Sequence, residues 1–285
     1  MTRPAMFQFR EILTEPPPRI RVVDVGAAEW GTDAYARLSE QDLCEVIGFE
    51  PNAENCAQRN ARARAGHRYL PYALGDGGVH PFFETESPLT SSLYRPNHAM
   101  LDKFSQLFFK EIGQHDIQTV RLDDVPGIED IDFLKLDIQG AELDVILGGS
   151  SRLRDTLVVH TEVEFIPVYA DQPLFGDVDV ALRKSGFWLH KLHEVFGRAM
   201  KPLQPNKDPF APLSQLLWAE AAIYVRSFMA FDELSADKLL KLAIILHEVY
   251  GSWDMAALAL RSHEMQTGKG VWQAYLARLM DAGLG

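Results

Sequence analysis

Cysteine is nearly missing: Cys44 and Cys56 are the only two in 285 residues. Two thiols cannot build a disulfide framework or a thiolate metal site, so both read as small reduced apolar residues of a cytoplasmic protein. Long apolar runs are missing too. No window approaches the roughly 18 uncharged apolar residues of a membrane span, and the start, Met1-Thr2-Arg3-Pro4-Ala5-Met6-Phe7-Gln8-Phe9-Arg10-Glu11, lacks the apolar centre of a signal peptide. Basic charge is scarce. With 28 Lys+Arg against 40 Asp+Glu the formal net charge is −12, which supplies no field for a phosphate backbone and argues against a nucleic-acid partner. Internal repeats and low-complexity tracts are absent as well. What is present is an ordinary globular composition, 47% hydrophobic and 24% charged. It excludes disorder and fills one large α/β domain with a smaller addition.

The acidic excess is unevenly placed. From Asp123 through Asp179, 14 acids stand against Lys135, Arg152 and Arg154, a balance of −11. Almost the whole net charge therefore sits in one fifth of the chain.

Hydrophobic patterning divides the chain into a lead-in (1–18), an α/β domain (19–226) and a helical annex (227–285). Phe7, Phe9, Ile12 and Leu13 suit a short amphipathic helix that Pro16-Pro17-Pro18 ends. β-rich runs then alternate with helical ones: Ile20–Val25 strand, Asp33–Ser39 helix, Glu45–Phe49 strand, Ala53–Arg64 helix, Arg68–Leu74 strand. Such alternation predicts a doubly wound parallel sheet covered on both faces. Val79–Phe83 and Gln118–Leu122 are short strands around a polar stretch, with an aromatic helix near Met100–Phe109. Further strands fall at Ile131–Leu136, Leu157–Val163 and Phe187–Leu192, with helices at Ala141–Leu147 and Val178–Ser185. A last strand, Leu216–Val225, follows a loop with Pro202, Pro205, Pro209 and Pro212; entered without a crossover helix, it should run antiparallel. Beyond Arg226 only helices remain, the first capped by Ser235 with Leu239, Leu242, Ala243, Leu246, Val249 and Tyr250 at helical spacing.

Val22-Val23-Asp24-Val25-Gly26-Ala27-Ala28-Glu29-Trp30-Gly31 is the most informative segment: an apolar strand runs into a turn of small residues and then a helix. The Gly-x-Gly-x-x-Gly spacing of a dinucleotide turn is absent, and an acid stands two residues before the first glycine. A ligand with a cationic group, rather than a pyrophosphate, suits that acid. Glu50, in Gly48-Phe49-Glu50-Pro51-Asn52, ends the second strand, where a carboxylate can accept bonds from both ribose hydroxyls. Ala73 and Leu74 end the third strand, where an adenine ring would meet apolar atoms. Asp137 ends the strand of Ile131–Leu136 and shares a crevice with Asp24 in such a sheet. In Val158-Val159-His160-Thr161-Glu162-Val163-Glu164, the two glutamates lie two apart and point to the same side of their strand.

Five runs carry a resemblance: Val23-Asp24-Val25-Gly26-Ala27, Gly48-Phe49-Glu50-Pro51, Ser91-Ser92-Leu93, Phe133-Leu134-Lys135-Leu136-Asp137-Ile138-Gln139-Gly140-Ala141-Glu142, and Glu162-Val163-Glu164-Phe165 continuing to Leu174-Phe175 and Gly186-Phe187. Over about Ile20 to Arg226 the chain resembles the FkbM-type S-adenosylmethionine-dependent methyltransferases. The resemblance implies a seven-stranded class I methyltransferase (Rossmann-like) sheet, S-adenosyl-L-methionine over strands one and two, and a hydroxyl acceptor on a sugar or secondary metabolite. The chain departs from the family in placing Ala28, Glu29 and Trp30 before Gly31, where Asn and Gly usually follow. Trp30 is either a lid over the cofactor or a packing aromatic.

The residues expected to hold the cofactor are Asp24, Gly26, Ala27, Glu50, Pro51, Asn52, Ala73, Leu74, Asp137 and Gln139. Methyl transfer to oxygen also needs the acceptor proton removed. The general base is sought among Asp137, His160, Glu162 and Glu164, with His193 and Glu194 as weaker candidates. No metal is expected, because the acids lack a recognised metal spacing, although Asp137, Glu162 and Glu164 are the set that would hold one. The acceptor is a small molecule or glycan shaped by Glu84–Phe109 and His193–Gln215. The helical annex can shape the acceptor pocket, cover an apolar face or support a homodimer. Two rivals remain: a nicotinamide dehydrogenase, disfavoured by the missing glycine spacing, and a non-catalytic binding module that keeps the sheet without the cofactor.

Overall fold

The β-rich run Ile-Arg-Val-Val-Asp-Val forms β1 (Ile20–Val25), an inner strand of a seven-stranded sheet in the computed structural model, which describes residues 7–27, 31–104, 109–203 and 215–284. β2 (Cys44–Phe49) and β3 (His67–Leu70) lie on one side, and β7 (Phe133–Leu136) and β8 (Val158–Glu164) on the other, all parallel. β10 (Gln215–Arg226) follows, antiparallel to both β8 and the edge strand β9 (Phe187–Arg198). The order β3-β2-β1-β7-β8-β10-β9 reverses direction between β1 and β7. At that reversal the outgoing connections diverge, which opens a crevice beyond the carboxyl ends of the strands. The doubly wound sheet and its antiparallel β10 are as the sequence predicts.

The strand expected over Arg68–Leu74 is divided. The edge strand β3 stops at Leu70, before Pro71. Ala73–Leu74 becomes β4, which pairs with β6 (Glu111–Val120) in a separate sheet ordered β4-β6-β5, where β5 is Val79–Thr85. The helix expected near Met100–Phe109 is a single turn, α3 (His98–Leu101), capped by the Asn97 side chain; residues 105–108 lie outside the described residues. The lead-in is a 3-10 turn over Phe9–Ile12 rather than an α-helix. Met1–Met6, Ala28–Trp30 and the loop prolines Pro205, Pro209 and Pro212 also fall outside the described residues.

Each sheet face is covered by helices. α4 (Glu142–Gly148) and α5 (Phe175–Lys184) bring Val145, Ile146, Val178 and Leu182 against Val23, Leu134, Val159 and Tyr224. On the opposite face Val22, Val46, Phe133 and Ile223 meet α1 (Ala36–Glu40) and the C-terminal helices α6 (Ala236–Glu248), α7 (Trp253–Thr267) and α8 (Val271–Asp281). Ser235 caps α6 by accepting from Lys238 N, and Leu239, Leu242, Ala243 and Leu246 form its buried stripe. The C-terminal helices thus share one hydrophobic core with β1, β2, β7 and β10. Buried Asp132, paired with Lys238 at 2.7 Å and Lys241 at 3.2 Å, fastens α6 to the start of β7. α2 (Ala53–Arg62) covers the β3 edge through Cys56, which packs with Tyr69 and Ala27.

Candidate active site

β1 delivers Asp24 and the Gly26 turn to the crevice. Gly26 has φ +81°, and a Cβ there would lie 1.8 Å from the Asp137 carbonyl oxygen, so only glycine lets the end of β1 pass the end of β7. The Lys135 side chain closes this junction. Its Nζ donates to the Gly26 carbonyl at 3.0 Å and stands 3.1 Å from Asp24 and 3.5 Å from Asp137. Burial works against its charge, but the two carboxylates outweigh burial and hold its pKa above the usual lysine range. Asp24 is buried and also accepts from the Tyr35 hydroxyl at 2.8 Å. The cation that Asp24 meets is therefore Lys135, and the pair locks the turn.

At the end of β2, Glu50 is 7% exposed, and its Oε1 accepts from Asn52 N at 2.9 Å. Burial raises its pKa. Asn52 is the N-cap of α2, accepting from Asn55 N, and Pro51 is exposed beside it. Ala27 is buried against Tyr69 and Cys56. Ala73 is half-buried in β4, whereas Leu74 points into the core under α4 and α5.

The loop after β7 is the most tightly held part of the crevice. Gln139 adopts φ +61°, uncommon for a side-chain-bearing residue. Around it, Glu142 accepts from Ile138 N at 2.8 Å and Gly140 N at 2.9 Å, and Ser92 donates to the Gln139 carbonyl at 2.6 Å. The Gln139 side chain donates to Asp137 at 3.1 Å and to Glu162 at 2.5 Å, while the Tyr169 hydroxyl lies 2.9 Å from its Oε1. Asp137 and Glu162 are thus joined through one amide. Their exposures differ: the Asp137 side chain is 45% exposed, whereas Glu162 and Glu164 are buried. Burial, then neighbouring acids, raises the pKa of both glutamates well above the ordinary range, and burial brings Glu142 to about 7. Burial thus disfavours the charged forms of Glu162 and Glu164, while Asp137 is the acid that the crevice opens to solvent.

His160 sits elsewhere. Enclosed between Phe133 and Tyr250, with Nδ1 3.2 Å from the Tyr250 hydroxyl, it is pushed down to about 3 by burial and by Lys135. It is neutral and part of the wall under the C-terminal helices. His193 stacks on Tyr250 as well, at 6.5 Å between ring centres, and Glu194 lies beside Glu220, whose pKa burial and Glu194 raise to about 7. Among the described residues no three His, Cys, Asp or Glu side chains converge as a metal site.

Three groups of this site escape a reading by residue type. Lys135 lies inside the matched run, two residues before Asp137; its grip on Gly26 is a contact across 109 positions. Ser92 was flagged only by its short run, and it latches the Gln139 loop. Tyr169 carried no signal at all.

The profile of the Methyltransferase FkbM domain family matches residues 24–189. The 2-O-methyltransferase NoeI of Sinorhizobium fredii is 31% identical over 182 residues, 59% of this chain and 70% of the relative. Among solved structures, a chain from Thermoplasma acidophilum assigned as a methyltransferase aligns with TM-score 0.40 and 9% identity, over 74% of this chain and 69% of its own. The 23S rRNA methyltransferase ErmE aligns with TM-score 0.36 and 12% identity, over 97% and 88%.

Proposed function

The chain belongs to the FkbM methyltransferase family, and from that premise we propose that it binds S-adenosyl-L-methionine over the carboxyl ends of β1 and β2 and methylates a hydroxyl of a sugar or other small metabolite. The observation that carries this reading is the junction at Gly26. There a turn without room for a Cβ is tied by Lys135 to acids from two strands, beside Glu50 at the end of β2. These residues fit the cofactor. Glu50 would accept the ribose hydroxyls, Ala27 and the Gly26 backbone would border the methionine end, and solvent-open Asp137 would face a positive charge. When bound, the cofactor supplies an electrophilic methyl group on a sulfonium.

The remaining chemistry falls to this chain. Asp137 is the carboxylate open to the crevice, so we assign it the acceptor proton, taken at a carboxylate oxygen. Gln139 holds Asp137 Oδ1 and ties it to Glu162, which fixes the carboxylate's direction. Burial of Glu162 favours its uncharged acid, a form able to donate a hydrogen bond to the acceptor. Orientation by these fixed groups lowers the barrier by removing the search for an in-line approach. The name of the Sinorhizobium relative, a 2-O-methyltransferase, supports oxygen as the acceptor atom.

The test is a thermal shift of the full chain with S-adenosylhomocysteine and, separately, NAD. Stabilisation by the first alone is expected, and Glu50→Ala should abolish it. Stabilisation by neither ligand would favour the binding module instead.

A further inference from the structure

The ten residues from Arg59 to Arg68 hold four arginines and His67 with no acid, an unusual concentration of positive charge in a chain of net charge −12. Three of those arginines, Arg59, Arg62 and Arg64, line a cleft of about 230 Å³ between α1 and α2, together with His67 and the hydroxyl groups of Ser39 and Tyr69. At ~30 Å³ per water the cleft has room for several waters, and hence for a small polyatomic anion.

Its cations are held in place before any ligand arrives. The Arg59 side chain is only 10% exposed, lies over the Tyr69 ring at 4.4 Å, donates to the Tyr69 hydroxyl at 3.0 Å and stands 4.0 Å from Asp33. Arg64 reaches across from the end of α2 to the Ser39 carbonyl at 3.3 Å. A guanidinium carries five N–H donors in a planar fork, more than one carbonyl can take, and that fork matches two oxygens of a phosphate or sulfate. The lining of the cleft carries two acids, Asp33 and Glu40, beside the three arginines. Burial and nearby Asp24 raise the Asp33 pKa. His67 reports the resulting field: burial, then Arg64, Arg59 and Arg19, lower its pKa.

We propose that the cleft between α1 and α2 binds a phosphate- or sulfate-type oxyanion, at a site that adjoins the methyl-donor crevice at Tyr69, which packs on Ala27. Its ligand is recognised by paired guanidinium contacts, with Tyr69 and Ser39 as hydroxyl partners.

Isothermal titration of the full chain with inorganic phosphate, sulfate and pyrophosphate tests this, each repeated with saturating S-adenosylhomocysteine. Pyrophosphate is expected to bind, about tenfold more weakly in Arg64→Glu, as for loss of one hydrogen bond to a charged group, and more weakly in Arg64→Ala as well. Arg68→Glu, the same charge change outside the cleft, should leave binding intact, and so should S-adenosylhomocysteine. Tighter pyrophosphate than phosphate would mark a diphosphate-bearing ligand, and equal affinity a single phosphate or sulfate group. Absence of binding, equal loss in Arg68→Glu, or competition with S-adenosylhomocysteine would each overturn the proposal.

Discussion

Lys135 concentrates the residue-scale logic of the site. It neutralises buried Asp24, holds the Gly26 carbonyl and steadies Asp137. Lys135→Met leaves Asp24 as an unpaired buried charge, expected to cost about 3–5 kcal/mol of stability. Asp24→Asn added to that variant should recover much of the stability but not the tie to Gly26. Calorimetry with S-adenosylhomocysteine should therefore find the folded double variant at least ~10-fold weaker, the loss of one charged hydrogen bond. A second expectation concerns His160, held at about 3 against an ordinary 6.5. A depressed histidine pKa means that the unfolded chain binds the proton first. The stability it leaves intact above pH 6.5 is lost progressively as pH falls toward 3. Thermal melts across that interval should fall less steeply in His160→Gln than in the parent, and parallel curves would show that the imidazole is not held neutral.

At the scale of elements, the strand-helix alternation and the acids at strand ends were legible because period and residue type encode them locally. Asp24, Glu50 and Asp137 stand where β1, β2 and β7 end. What was not legible depended on partners far away in sequence. An apparently continuous strand divides because β4 finds its neighbour in β6, and Tyr250 reaches His160 from 90 positions away. The stripe of α6 announced a buried face without saying which sheet face it covers. Its last turn also grips the N-terminal segment: Glu248 accepts from Phe9 N at 2.7 Å and from Gln41 at 2.8 Å, and pairs with Arg37 at 3.1 Å, while His247 Nε2 lies 2.9 Å from the Phe7 carbonyl. Glu248→Ala strands those donors in a buried place, with an expected cost of about 3 kcal/mol. Hydrogen exchange should show Phe9 and the 3-10 turn losing protection before the sheet does.

At the scale of the whole molecule, the concentrated acidity of Asp123–Asp179 serves two purposes. Part lines the crevice, as Asp137, Glu142, Glu162 and Glu164. The rest is structural: Asp132 binds α6, Asp123 accepts from Ser151 N and Arg152 N, and Asp179 pairs with Arg183. The helices beyond Arg226 cover the apolar face of β1, β2, β7 and β10. A chain ending at Arg226 exposes that face, and its circular dichroism should lack a cooperative melt; a folded, soluble 1–226 fragment would show instead that these helices are dispensable. The central claim is that the crevice at Gly26, Glu50 and Asp137 is where the methyl donor and its acceptor meet. A crystal structure of the full chain with S-adenosylhomocysteine tests it most directly. The expected density places the ribose hydroxyls on Glu50 and leaves the Asp137 carboxylate facing the space beyond the sulfur; ligand density elsewhere, or a sulfur turned away from Asp137, would contradict it.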